Sequence, residues 1–117
     1  RAAVERLLRD AGLKPPEPAE IASLAGLAAP TADRVLKLLQ RQKVLVKLDD
    51  LLFHEDVLKR FRQDVVALKT AAGTEGRLDV ATFKTRFGVS RKFAIPLLEY
   101  LDRERITRRV GDARVLL

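Results

Sequence analysis

The sequence predicts a tandem pair of winged helix-turn-helix domains, mainly α with small β hairpins. Three observations carry that prediction. Apolar residues recur at helical spacing in successive segments. After two of these segments comes a short β-branched run, a tight polar turn and an apolar return strand. The whole order of helix, helix, hairpin then occurs twice in 117 residues.

The chain opens inside a helical pattern formed by Val4, Leu7 and Leu8, and it starts at Arg1 rather than Met, as a piece cut from a longer protein would. Pro15, Pro16 and Pro18 make a stiff turn, and Ile21 and Leu24 share one face of the helix that follows. Pro30 breaks this helix, and Thr31 is placed to cap the next, where Val35, Leu38 and Leu39 recur. Val44-Leu45-Val46, the turn Asp49-Asp50 and Leu51 to Phe53 form the first hairpin. The stretch from His54 carries Leu58, Phe61, Val65 and Leu68 on one stripe and stops at Gly73. It reads as the first helix of the second unit, entered directly from the first wing, and a continuous helix restrains the angle between units.

In the second unit Phe83 and Phe87 lie four apart on one helix, and Gly88 ends it by accepting a positive φ. Ser90 is placed to cap the next helix, whose apolar stripe is Ala94, Leu97, Leu98 and Leu101. Ile106-Thr107, the turn Gly111-Asp112 and Val115 to Leu117 complete the second hairpin. Laying EIASLAG (Glu20 to Gly26) over DVATFKT (Asp79 to Thr85) aligns acid, β-branched residue, Ala, hydroxyl and large apolar residue, and sets Thr31 on Ser90. The domains are therefore drawn at residues 1–54, a supporting unit, and 55–117, the nucleic-acid-binding unit.

A net charge of +7, with pI near 10.2, points either to a polyanionic partner or to a solvated basic surface. Aromatic residues make up only 5%, so the cores rest on Leu, Val, Ile and Ala. Absence of cysteine removes disulfides and thiolate metal sites, and is compatible with a reducing cytosol. There is no apolar run long enough for a membrane span and no signal-peptide pattern. The lone histidine, His54, has no second imidazole beside it and is assigned a structural role. A Gly-rich phosphate loop with its Lys is also missing, so no catalytic, metal or cofactor site is expected in this chain.

Placement of the basic residues says more than their number. Between Gly73 and Leu117 ten Lys and Arg face six acids, and between Arg1 and His54 nine face seven, a small difference. From Lys84 through Arg86 to Arg91-Lys92, however, no acid intervenes across the helix-turn-helix elbow. Ser90 and the free N–H groups after it form an anion site that Arg91 and Lys92 reinforce. The second wing carries Arg108, Arg109 and Arg114, against Lys47 and the acidic turn Asp49-Asp50 in the first. In the first unit Thr31-Ala32-Asp33-Arg34 replaces the basic cap, and Asp33 would repel phosphate. Arg103 and Arg105 fit a helix end and local pairing with Asp102 and Glu104. Pro96 interrupts its helix and frees the Lys92 carbonyl, giving either a kink packed into the core or a small pocket for a flipped-out base. Tyr100 is either a stacking platform or half-buried packing. These residues leave three functions open: an RNA reader, a duplex-DNA-binding transcription regulator, or a protein-interaction module.

Ser90 to Asp102 (SRKFAIPLLEYLD), with Thr107-Arg108-Arg109 and Gly111-Asp112, resembles the C-terminal end of the bacterial selenocysteine-specific translation elongation factors, the SelB family. The resemblance is specific over roughly the last thirty residues and architectural over the rest. It implies that the final winged helix binds an mRNA hairpin, the selenocysteine insertion element, beside a UGA codon. Backbone contacts fall on Ser90, Arg91 and Lys92, and wing contacts on Arg108 and Arg109; Lys84, Arg86 and Arg114 join them by charge and position. It also implies a separate N-terminal GTPase that holds GTP and Mg and carries selenocysteinyl-tRNA to the ribosome. The expected setting is cytoplasmic, the chain a monomer without a membrane partner, and the first unit a spacer.

Overall fold

Prolines and glycines set the element boundaries. A computed structural model describes residues 2–72, 77–111 and 113–117, and the side chains of these except 69–72, 77, 78 and 113. The helix stop expected at Gly73 and the turn residue Asp112 lie outside the described residues. Two units divide the chain, Arg1–Lys59 and Arg60–Leu117. The division falls five residues after the 54/55 junction drawn from the sequence.

Unit one contains α1 (Ala2–Ala11), α2 (Pro18–Ala25), α3 (Ala29–Arg41), β1 (Leu45–Leu48) and β2 (Leu51–His54), and ends in the first turn of α4 (Glu55–Ala72). Val4, Leu8, Ile21, Leu36, Leu39, Leu45 and Leu52 form its core. Leu24 and Leu38, expected to face inward, are 57% and 38% exposed. α3 begins at Ala29 instead of after Thr31, and its buried stripe is Ala32, Leu36 and Leu39. Thr31 is thus not the cap: Ala28 holds that position and Pro30 sits in the first turn, where its missing N–H costs nothing. β1 and β2 pair antiparallel from Leu45↔His54 to Leu48↔Leu51, around a turn whose first residue, Asp49, has φ 54°. His54 is buried, and its Nδ1 accepts the Asp56 N–H at 3.0 Å, while Arg9 reaches the Asp56 carboxylate at 3.4 Å. Its role is to fix the start of α4.

Unit two contains the rest of α4, then β3 (Arg77–Asp79), α5 (Val80–Phe87), α6 (Arg91–Arg103), β4 (Thr107–Val110) and β5 (Ala113–Leu116). Phe61, Phe83 and Phe87 meet with ring centroids 5.8, 5.2 and 4.8 Å apart. Val65, Leu97, Leu98 and Leu101 are fully buried. The sheet has the order β3-β5-β4, antiparallel throughout.

The duplication is present in a different register from the one the sequence suggested. Each element from α2 to β2 recurs 62 positions later, as in Gly26 to Gly88, α3 to α6 and β1 to β4. The motif match of Glu20 with Asp79 implied 59 and placed Thr31 on Ser90. The true partners are Glu17 with Asp79 and Ala28 with Ser90, all four at helix N-caps. Gly26 and Gly88 sit at φ 70° and 65°, a demand that overrides the resemblance of neighbouring side chains. The shift also explains the strand β3, which the sequence did not suggest. Its counterpart in unit one is Pro15-Pro16-Glu17, and two prolines lack the N–H groups that a strand must offer.

In both copies the second helix enters the wing in the same way. Lys43 and Arg105 adopt φ 63° and 59°, while the next residues, Val44 and Ile106, donate to the carbonyls of Leu39 and Leu101 at 2.9 and 3.0 Å. Unit two adds a side-chain clamp. Asp102 Oδ1 accepts the Thr107 hydroxyl at 2.6 Å, and its Oδ2 accepts Arg114 Nε at 3.2 Å, so one carboxylate near the end of α6 holds both wing strands.

Asp79 accepts the Thr82 N–H at 2.7 Å, and this backbone bond holds its carboxyl below the ordinary 3.8. Because the folded value is depressed, the cap's contribution is complete above 3.8 and is lost as pH falls through the folded value. Asp79→Ala should therefore melt earlier than the parent at about pH 7, with the gap closing in acid thermal melts as pH falls through the folded value. Arg105→Gly removes a left-handed Cβ penalty and should stabilise by about 1 kcal/mol in calorimetry.

Candidate nucleic-acid interface

The start of α6 is cationic and open. Ser90 is extended (φ −84°, ψ 170°), and its carbonyl accepts the N–H groups of Phe93 and Ala94. Contrary to expectation, its hydroxyl makes no cap bond. Ser90, Arg91 and Lys92 are all exposed, and Lys92 Nζ lies 5.5 Å from the Phe93 ring centroid. The positive end of the helix dipole adds to the two side-chain charges there.

Strand alternation separates the wing arginines. Arg109 lies opposite Arg114 across the hairpin, while Arg108 lies opposite Val115. Successive residues in a strand point to opposite faces, so Arg108 and Arg109 diverge. Arg109 shares its face with Thr107, toward α6, and its Nε donates to the Gly111 carbonyl at 3.2 Å. Arg114 was expected to be a solvent-facing wing cation. It is only 7% exposed and is committed to Asp102.

Between helix and wing lies a cavity of about 680 Å³ lined by Val80, Arg91, Ile95, Glu99, Asp102, Arg109 and Arg114. Arg91, Ile95, Glu99 and Asp102 follow one face of α6, each three or four residues from the last. Of the residues predicted from sequence, the cavity brings together Arg91, Arg109 and Arg114. Ser90 and Lys92 stand beside it at the helix start. Lys84 and Arg86 are exposed but two apart on α5, so their directions differ by about 200°. Arg86 lines a separate cavity with Asp64, Ala67, Leu68 and Phe87.

Two alternatives left open by the sequence are resolved toward packing. Pro96 is buried within a helix that runs unbroken from Arg91 to Arg103, so it packs into the core. Tyr100 is 6% exposed, and its hydroxyl accepts a hydrogen bond from Arg62, which removes it as a stacking platform. The sequence reasoning missed Ile95 and Glu99, although their spacing from Arg91 was a usable signal. It also assigned Asp102 to local pairing, whereas its partners are five and twelve residues away.

Unit one repeats this groove with other chemistry. A cavity of about 430 Å³ is lined by Pro18, Asp33, Leu36, Lys37, Gln40, Lys47, Asp50 and Leu52. In the register of the fold, Arg91 and Lys92 correspond to Ala29 and Pro30, and Asp33 corresponds to Ile95 rather than to the helix start. Arg108 corresponds to Val46, Arg109 to Lys47 and Arg114 to Leu52. Among the described residues, the paired basic helix start belongs to unit two alone.

Comparison with known proteins agrees with this architecture. A family model described as "Elongation factor SelB, winged helix" matches residues 70–116. A selenocysteine-specific elongation factor from Desulfomicrobium baculatum is 30% identical over 115 residues, 97% of this chain. The chain spans only 18% of that relative's length. The mRNA-binding domain of elongation factor SelB from E. coli, solved in complex with SECIS RNA, superposes with a TM-score of 0.72 at 26% identity. That match covers 97% of this chain and 96% of the other. A bacterial selenocysteine-specific elongation factor, EF-Sec, gives 0.73 at 25% identity, covering all of this chain and 18% of that one. Residues 70–116 thus match the SelB winged-helix family model, and the chain as a whole has the fold of the SelB mRNA-binding domain.

Proposed function

We propose that this chain recognises a selenocysteine insertion hairpin in mRNA and so directs selenocysteine to UGA codons. The observation that carries this is the cationic groove of unit two, edged by Arg91 at the start of α6 and Arg109 on the wing. Its counterpart in unit one lacks the basic helix start. Phosphates of a stem-loop would engage Ser90, Arg91 and Lys92, with Arg109 reaching the same strand from the wing. Lys84, Arg86 and Arg108, which point elsewhere, would serve as outlying backbone contacts. Specificity would come from unpaired loop bases, because side chains do not enter the narrow A-form major groove.

From the sequence resemblance we further propose that the whole factor is a cytoplasmic GTPase, using GTP and Mg in another domain to bring selenocysteinyl-tRNA to the ribosome. Unit one then acts as a spacer, and the chain works as a monomer.

Binding should be titrated against salt for a loop-bearing RNA hairpin, its fully paired counterpart and duplex DNA of the same sequence. The hairpin should bind best, with log K falling at a slope of about −3 to −4 against log salt, as four or five phosphate contacts require. Equal and steeply salt-sensitive binding to all three would reduce the groove to a generic basic surface, and preference for the DNA would favour a transcription regulator. Arg91→Ala should weaken every RNA by about tenfold and lower the slope by about 1; unchanged affinity would remove the helix start from the interface.

A further inference from the structure

The same fold is closed in two ways within one chain. In unit one, the positions that join wing to helix are Gln40, Leu45 and Leu52. The two leucines are buried in the core, and Gln40 turns back to donate to the Leu36 carbonyl at 3.3 Å. In unit two the same positions are Asp102, Thr107 and Arg114, joined by hydrogen bonds of 2.6 and 3.2 Å. Unit one is therefore an internal control: helix, turn and wing assemble without any polar clamp. General energetics agree, since well-packed apolar residues usually match or exceed a buried ion pair in stability.

The clamp also carries a cost. It buries the Arg114 guanidinium directly across the hairpin from Arg109, and like charges placed opposite each other in a sheet repel. The Asp102 carboxylate offsets that repulsion at Arg114 and leaves the Arg109 charge for the cavity that both arginines line. A device that the fold does not need, set beside the groove, is better explained by what the groove must do. We propose that Asp102 is a positioning residue for RNA recognition. Through Thr107 and Arg114 it fixes the wing so that Arg109 faces Arg91 across the cavity. Neither Asp102 nor Arg114 needs to touch the RNA. The inference rests on the hairpin-binding function proposed above.

The test transplants unit one's solution into unit two. The triple variant Asp102→Gln, Thr107→Leu, Arg114→Leu removes one carboxylate and one guanidinium together, so the net charge of the chain is unchanged. Its melting temperature should equal or exceed the parent's, while its affinity for the loop-bearing hairpin should fall at least about tenfold. The salt slope should stay within about one unit of the parent's, because no phosphate contact is removed. A folded variant that binds within about twofold of the parent overturns the proposal, and so does a loss of affinity that follows a lowered melting temperature.

If the triple variant does not fold, Asp102→Asn serves instead, since it keeps the shape and removes only the charge. A second readout needs no RNA. In the arginine Nε–H spectrum of the free protein, Asp102→Asn should move the resonances of both Arg114 and Arg109. Movement of Arg114 alone makes the pair merely local and overturns the positioning role. Should the parent show no preference for the hairpin, the RNA function fails by itself, and the spectrum still decides whether the clamp sets Arg109.

Discussion

A single left-handed residue at the end of each second helix controls the geometry of the molecule. At Lys43 and at Arg105 the backbone reverses through φ near 60°, and the following amide closes onto a carbonyl in the last helical turn. This bond pair ends the helix and aims the first wing strand back along it. Without the reversal, helix start and wing would not border one groove, and the cations of unit two would be scattered over separate surfaces. Both positions hold a long cationic residue where glycine is the usual occupant, so tertiary packing overrides local preference here.

Much of the fold was legible in the sequence because its signals are repeated and strong. The helix containing Leu97, Leu98 and Leu101, the turns at Asp49 and Gly111, and the helix stop at Gly88 all lie where periodicity and turn chemistry put them. The register of the repeat was not legible from side-chain resemblance. EIASLAG and DVATFKT look alike, yet what the fold aligns is glycine with glycine and cap with cap. The short strand β3 escaped notice because three residues offer no periodicity, and its existence depends on a partner far along the chain.

The candidate site was legible as composition but not as direction. Ser90, Arg91 and Lys92 stand exposed at a helix start, as a cap followed by two cations implies. Arg108 and Arg109 are adjacent in sequence and therefore opposed in space, a consequence of the strand that a count of charges cannot express. Arg114 is drawn inward by Asp102, twelve residues earlier, and only the pairing of β4 with β5 brings that contact about. Glu99 and Ile95 went unmarked because the groove is defined jointly by a helix face and a hairpin face.

The two prolines that stand where unit two has β3 bear on the entropy of association. In unit two, β5 is hydrogen-bonded on both sides, by β3 and by β4, whereas in unit one β2 has a single neighbour. A strand held from both sides has less freedom to surrender when a ligand fastens it, so more of each new contact is expressed as affinity. The wing of unit one, held on one side and by apolar packing, retains more freedom to lose. Pro15 and Pro16 therefore do more than shape a turn. They leave one copy of a duplicated unit less preorganised for binding than the other, while the helices and hairpin of both copies stay the same.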